Sequence, residues 1–301
     1  MAWTADDIPS QEGRLALVTG ANSGLGLATI QALAARQATV ILACRSSRKA
    51  EAAQQQLQDQ GLSRLELLEL DLADLSSVKR AAESVRDRYG HLDLLINNAG
   101  VMAPPRRTTV QGHELQFGVN HLGHQALTQA LLPLMENRPD ARVVTVTSGA
   151  QYFGRIHWDD PNWEQRYERY GAYGQSKLAN VMFALELDAR LRQRSSTIRS
   201  LAAHPGLART QLQPTAIASG GNGAEALVYR LMDPLFQSAA MGALPQLHAA
   251  TAPSAQGGEH YGPNRLGGLR GHPSRCRVAP TANNPVERER LWNLSEQLIG
   301  A

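Results

Sequence analysis

Little in this chain marks a secreted, metal-bound or membrane-spanning protein. Only two of its 301 residues are cysteines, Cys44 and Cys276. Two cysteines form no disulfide framework, and their separation is not that of metal ligands. A reducing cytoplasm is the simplest setting for them. No apolar run approaches the roughly 18 residues that span a bilayer. The opening stretch, residues 1–13, is acidic and lacks the basic region and apolar core of a signal peptide. Net charge is only +3. The mild cluster of Arg190, Arg192, Arg194 and Arg199 reads as a solvated helix face and its exit loop, so nucleic acid is not an expected partner. Aromatic residues make up 5% of the chain, while alanine, leucine and glycine abound, which suits helices packed closely on a sheet. There is no internal repeat and no low-complexity segment. One local absence matters more than these: no Asp or Glu occurs between Gly13 and Ala50.

What is present begins with an apolar strand, Arg14 to Thr19, followed by Gly20, Gly24 and Gly26 and then a helical run to Arg36. Strand, glycine-rich turn and helix form the setting of a dinucleotide fingerprint. Glycines let the backbone turn tightly and let a pyrophosphate approach the N–H groups of the helix start. The spacing is Gly-x3-Gly-x-Gly, and a purely structural turn is the alternative. A second strand, Thr39 to Cys44, completes a βαβ unit. An NAD site would usually place an acid near its end to bind the ribose 2′-hydroxyl. Arg45 stands there, with Arg48 and Lys49 behind it. A guanidinium binds a 2′-phosphate by charge-assisted hydrogen bonds. The expected cofactor is therefore NADP(H), the alternative being a solvated basic turn.

Further strands are expected at 64–70, 92–96, 143–147 and 198–203, with a short seventh at 259–262. Helices are expected at 47–60, 75–88, 113–135, 173–194, 239–250 and 285–299, and residues 263–284 read as loop. This alternation predicts an α/β fold: a Rossmann-type doubly wound parallel sheet of about seven strands, in one domain spanning 1–301. Gly20, Arg45, Asp71, Asn98, Ser148 and Pro205 each fall just past a strand end. They therefore gather on one sheet edge, where such folds bind ligands. Asp71 is placed to accept from an adenine amino group, or else simply begins a turn. Tyr173 and Lys177 lie four apart, on one helix face. The positive charge favours the phenolate, which makes Tyr173 a candidate proton donor and acceptor. His121, His124 and His204 read as packing or hydrogen-bonded histidines, and no metal is expected.

Taken together, Thr19-Gly20-x3-Gly24-x-Gly26, Asp71, Asn97 to Gly100, Asn120, Ser148, Tyr173-x3-Lys177 and Pro205-Gly206 resemble the short-chain dehydrogenase/reductase family. The likeness covers residues 13 to about 210 and continues more loosely to the end. It implies that Tyr173 is the general acid/base and that Lys177 holds the nicotinamide ribose and tunes Tyr173. It implies that Ser148 bonds the substrate oxygen and that Asn120 holds a water of the proton relay. Cofactor contacts are expected at Gly20, Asn22, Ser23, Gly24, Leu25 and Gly26, then at Arg45, Asp71 and Leu72. Others are expected at Asn98, Ala99 and Gly100, at Tyr173 and Lys177, and at Pro205, Gly206, Ala208 and Thr210. Ala43-Cys44-Arg45, Asn120 to His124, Gly154 to His157, Ser176 to Asn180 and Leu291 to Glu296 are similar to the retinol-dehydrogenase-like and protochlorophyllide-reductase-like branch.

The implied reaction is hydride transfer between NADP(H) and the carbonyl or alcohol carbon of a small molecule. A light-driven pigment reductase and a non-catalytic NADP(H)-binding regulator are the alternatives. Residues 207–245, apolar and interrupted by Ser219 to Gly223, read as a substrate lid or as a packed helix pair. Their apolar content suggests a lipophilic aldehyde or ketone. The resemblance also implies a homodimer through helices 113–135 and 173–194, with the long segment before Tyr173 as an obstacle to it.

Overall fold

The computed structural model describes residues 2–209 and 233–300. Eight strands form one sheet in the order β3-β2-β1-β4-β5-β6-β7-β8. They are β1 (Leu15–Thr19), β2 (Thr39–Cys44), β3 (Leu65–Glu69), β4 (Leu94–Asn97), β5 (Arg142–Val146), β6 (Arg199–Ala203), β7 (His260–Arg265) and β8 (Arg270–Arg275). All pair in parallel except β8, which runs antiparallel to β7. Every residue of β1, β4 and β5 is buried. Such strands carry apolar runs because helices cover both faces of a parallel sheet.

One face packs against the Gly24–Ala35, Ser47–Gln58 and Ala239–Thr251 helices, around Ile30, Leu33, Leu57, Leu244 and Leu247. On the other face the Leu75–Tyr89, Gly123–Met135 and Arg169–Gln193 helices bury Val78, Val85, Leu127, Leu131 and Phe183. The Pro285–Ile299 helix lies outside that second layer. It stacks Trp292 on Phe183, with centroids 5.7 Å apart, and brings Ser295 Oγ 2.7 Å from His121 Nε2.

From β1 the chain winds outward to β3, then crosses back to β4 on the other side of β1. That reversal opens a crevice at the carboxyl ends of β1 and β4. Thr19 closes β1 there, and Asn97 closes β4. At this point Gly26 packs the first helix directly onto the turn. A Cβ on Gly26 would lie 2.3 Å from the Gly20 carbonyl oxygen and 2.8 Å from Asn98 Nδ2. Gly26→Ala should therefore cost about 1–3 kcal/mol of stability, read as a lowered urea midpoint. An unchanged midpoint would mean that the helix shifts freely.

Three sequence expectations need correction. Residues 263–284, read as loop, contain β8, which brings the expected count of about seven strands to eight. Its sequence, RGHPSR, has no apolar alternation, and Pro273 faces Pro263 across the pair. Proline is tolerated on an edge strand, where one row of backbone groups faces away from the ladder. The helix expected at 113–135 is instead Leu115–Phe117, a π turn at Gly118–Leu122 and Gly123–Met135. The helix expected from Tyr173 begins at Arg169, where the Glu168 carboxylate caps the N–H groups of Tyr170 and Gly171. Tyr173 thus sits inside a helix rather than at its frayed start.

The four clustered arginines are ion-paired: Arg190 with Glu186 at 2.8 Å, Arg192 with Asp188 at 2.6 Å, Arg194 with Glu136 at 3.1 Å, and Arg199 with Asp140.

Candidate functional site

A cleft of about 460 Å³ opens over the glycine turn. Gly20, Asn22, Ser23, Gly24, Leu25 and Gly26 line it, as do Arg45, Asp71, Leu72, Asn98, Ala99 and Gly100. Those are the first twelve cofactor positions expected from the sequence. A larger hollow of about 880 Å³ shares no residue with it and lies among Gln129, Leu187, Arg190 and Trp292. The convergence of polar groups, rather than size, selects the smaller one.

Its floor is held by Thr19. The Thr19 hydroxyl oxygen accepts from the Asn98 and Ala99 N–H groups, both at 2.9 Å. Asn98 Nδ2 donates to the Thr19 carbonyl at 2.8 Å. His124 lies behind, with Nε2 2.8 Å from Thr19 Oγ1 and Nδ1 3.0 Å from the Asn120 carbonyl. A carbonyl only accepts, so Nδ1 carries the proton and Nε2 accepts from Thr19. Burial keeps His124 neutral, pushing it down to about 4, and pushes His121 down to about 3. Both are wedged into the packing. His204 is likewise pushed down to about 3 by burial and packs beside the His260 ring. Among the described residues no His, Cys, Asp and Glu cluster is arranged to hold a metal ion.

Next to the cleft, Asn120 is fully buried in the π turn. Its Oδ1 accepts from the Val101 N–H at 2.8 Å, and its Nδ2 donates to the Val101 carbonyl at 3.0 Å and to Ser176 Oγ at 2.9 Å. Both amide protons are thus used on protein. This side chain braces the strand-exit loop. Single π turns recur at functional sites because they re-aim one side chain within a helix.

Lys177 is 4% exposed. Its Nζ donates to the Val146 carbonyl at 3.3 Å, and Asn180 Nδ2 donates to the same oxygen at 3.0 Å. Thr147 Oγ1 donates to the Lys177 carbonyl at 2.6 Å, which fastens this helix to the end of β5. Burial lowers the Lys177 ammonium to about 8. Its Nζ lies 5.8 Å from the Tyr173 ring centroid. Ser148 is half-buried at the exit of β5, and its Oγ accepts from the Ala150 N–H at 3.3 Å. Gly100 joins these groups to the cleft. A Cβ there would sit 3.3 Å from Asn120 Oδ1 and 3.4 Å from Lys177 Nζ.

Pro205, Gly206 and Ala208 follow β6 on the same edge but do not line the cleft wall. Gln237 Nε2 donates to the Pro205 carbonyl at 2.9 Å, and the Gln237 N–H donates to the Leu207 carbonyl at 2.8 Å. Arg209 pairs with Asp233 at 2.8 Å. Residues 233–237 thus return beside 207–209. Thr210 and most of the expected lid, 210–232, lie outside the described residues. The upper boundary of that lid, 245, needs correction: it falls inside the Ala239–Thr251 helix, whose Ala243 and Leu244 are core residues.

Several contacts in this constellation had no sequence signal. Ser176 meets Asn120 across 56 positions, and Gln246 meets Asn98 across 148, at 3.3 Å. Arg107 lines the cleft from an exposed loop.

Comparison with known proteins agrees with this arrangement. The profile of the short chain dehydrogenase family matches residues 14–219. Human retinol dehydrogenase 12 is 38% identical over 291 residues, covering 96% of this chain and 87% of its own. A short-chain dehydrogenase/reductase of Armillaria gallica is 40% identical over 261 residues, covering 84% and 81%. Among solved structures, an uncharacterized protein from Mycobacterium paratuberculosis has a TM-score of 0.82 and 41% identity, covering 100% of this chain and 98% of its own.

Proposed function

This chain belongs to the short-chain dehydrogenase family, on its retinol-dehydrogenase-like branch, and from that premise we propose an NADP(H)-dependent reductase of lipophilic aldehydes or ketones. It is an oxidoreductase, and the finer assignment rests on the residues of the cleft. The observation that carries it is the Tyr173–Lys177 helix face, joined through Gly100 to a glycine-floored cleft. The residues fit a dinucleotide: glycines at the helix start for a pyrophosphate, Asp71 and Leu72 at one end, and Lys177 at the other. When bound, the nicotinamide supplies or accepts the hydride. Tyr173 gives or takes the proton at the substrate oxygen, and Ser148 hydrogen-bonds that oxygen. Lys177 holds the ribose and places a positive charge beside Tyr173. Asn120 positions the loop between them through Val101. Fixing both reactants in one geometry supplies much of the rate.

Support for NADP(H) comes from Arg45, which is exposed at the cleft wall behind a segment free of acids. Arg45→Ala should weaken NADPH binding roughly 10- to 100-fold, the worth of a charge-assisted bond, and leave NADH binding nearly unchanged. Equal affinities of the unaltered protein for the two cofactors would overturn the preference. A lipophilic substrate is supported by the names of relatives such as human retinol dehydrogenase 12. The activity is tested by NADPH absorbance over a panel of aldehydes and ketones. No change with any member would refute the reductase.

A further inference from the structure

Ala103 is fully buried and stands at φ 45°, in the left-handed region. A residue with a Cβ is uncommon there and persists only where its surroundings over-determine it. Met102 and Pro104, its neighbours in sequence, both line the cleft. The kink is therefore part of the wall that continues from Gly100.

Side chains from two other segments fasten it. Gln116 Oε1 accepts from the Ala103 N–H at 2.8 Å, and Arg169 Nε donates to the Ala103 carbonyl at 2.6 Å. The Tyr167 hydroxyl donates to the Pro104 carbonyl at 2.9 Å. Gln116 is fully buried and does not itself line the cleft. Its turn is held by the Glu114 carboxylate, which accepts from the Gln116 N–H at 3.0 Å and from the Phe117 N–H at 2.7 Å.

The other end of the same amide reaches the helix that carries Tyr173. Gln116 Nε2 donates to the Arg169 carbonyl at 2.9 Å and to the Tyr167 hydroxyl oxygen at 3.0 Å. With an N–H on one side and a carbonyl on the other, the amide has one orientation. Arg169 opens that helix, and Tyr173 lies four residues on. In an α-helix a carbonyl takes the N–H four residues later. The Arg169 carbonyl thus serves both Gln116 and the turn that presents Tyr173. One buried amide spans the distance from the cleft wall to the base of the proton donor.

We propose that Gln116 and Tyr167 are positioning residues: acting through Ala103, Pro104 and Arg169, they fix the cleft wall relative to the Tyr173 helix. That they fix the wall stands on these contacts alone. Its consequence for catalysis rests on the reductase reading above, in which the wall holds the cofactor and the helix holds the hydroxyl. A displacement of about 1 Å between such groups can cost up to ~10²-fold in rate.

Two variants test this. Gln116→Met keeps the approximate volume and removes both bonds of the amide. Tyr167→Phe keeps the ring and removes only the hydroxyl, so it decides the matter should Gln116→Met fail to fold. Urea unfolding first defines the conditions under which each variant is fully folded. In the cofactor-free protein the Ala103 amide should then exchange with deuterium at least tenfold faster in Gln116→Met than in the parent, while the amides of β1 and β5 stay protected. Gln116→Met should lower turnover of a short water-soluble aldehyde roughly tenfold and weaken NADPH binding, read by fluorescence, roughly three- to tenfold. Tyr167→Phe should show the same pattern at about a third of the size. Adding Ala103→Gly to Gln116→Met should recover at least threefold in turnover, because glycine holds a positive φ without a clamp.

A lowered urea midpoint with turnover and NADPH affinity within twofold of the parent would make both residues merely structural and overturn the proposal. So would unchanged Ala103 exchange in both folded variants, or no recovery on adding Ala103→Gly. A parent protein that binds neither NADPH nor NADH would refute the reductase reading, and the exchange result would still decide whether the clamp exists.

Discussion

Tyr173→Phe should lower turnover roughly a thousandfold while changing NADPH affinity less than about threefold. General acid–base groups contribute ~10²–10⁴ in rate, and here one hydroxyl is asked to carry the whole proton transfer. The ring is 8% exposed and sits within a continuous helix, two turns of which are pinned to β5 through Lys177, Thr147 and Asn180. Phenylalanine keeps that ring and its packing, so the loss isolates the hydroxyl. Steady-state rates with a reactive aldehyde, beside NADPH titration by fluorescence, separate the two effects. Turnover within tenfold of the parent would remove Tyr173 from the proton step. A matched loss of cofactor affinity would recast it as a binding residue.

Lys177→Met should do two opposite things. Turnover and NADPH affinity should both fall, turnover by at least a hundredfold, because the variant removes the ribose clamp and the charge beside Tyr173. The cofactor-free protein should become more stable. Burial lowers the Lys177 ammonium from its ordinary 10.5 to about 8, so the folded chain holds a charge that it disfavours. That difference corresponds to on the order of 3 kcal/mol below pH 8. Removing the side chain strands no partner, since the Val146 carbonyl keeps its bond from Asn180.

The pH dependence has a definite sign. Between about 8 and 10.5 the unfolded chain holds a proton on Lys177 that the folded chain has released. Stability therefore rises with pH across that window relative to the Met variant, and the penalty is fully present below it. Urea unfolding of both proteins at pH 7 and pH 9.5 measures this. A variant less stable than the parent at pH 7, or a gap that fails to narrow at pH 9.5, would show that Lys177 is not the strained group. Such a trade of stability for activity is common where a charge must be kept in a dry site.

The alternation of apolar runs and turns was enough to place seven parallel strands, because a strand buried on both faces must be apolar along its length. It also placed the Ala239–Thr251 and Pro285–Ile299 helices within a residue, because Ser238 and Asn284 cap them and Pro285 opens the second. The cleft residues Gly20, Arg45, Asp71 and Asn98 were legible for a related reason, while the others followed from the family resemblance. In a parallel sheet every strand's carboxyl end reaches the same edge, so the position after a strand predicts a position in the site.

Chain order could not decide what meets across the sheet. The double bond pattern between Asn120 and Val101, with Ser176 behind, needs a π turn that apolar periodicity does not encode. The edge strand β8 has no periodic pattern, so its partner β7 defines it. The sequence by itself determined which edge carries the chemistry and which residue types stand there. Only the tertiary structure decided how they are held, because a buried amide and a buried ammonium acquire meaning from neighbours far away in the chain.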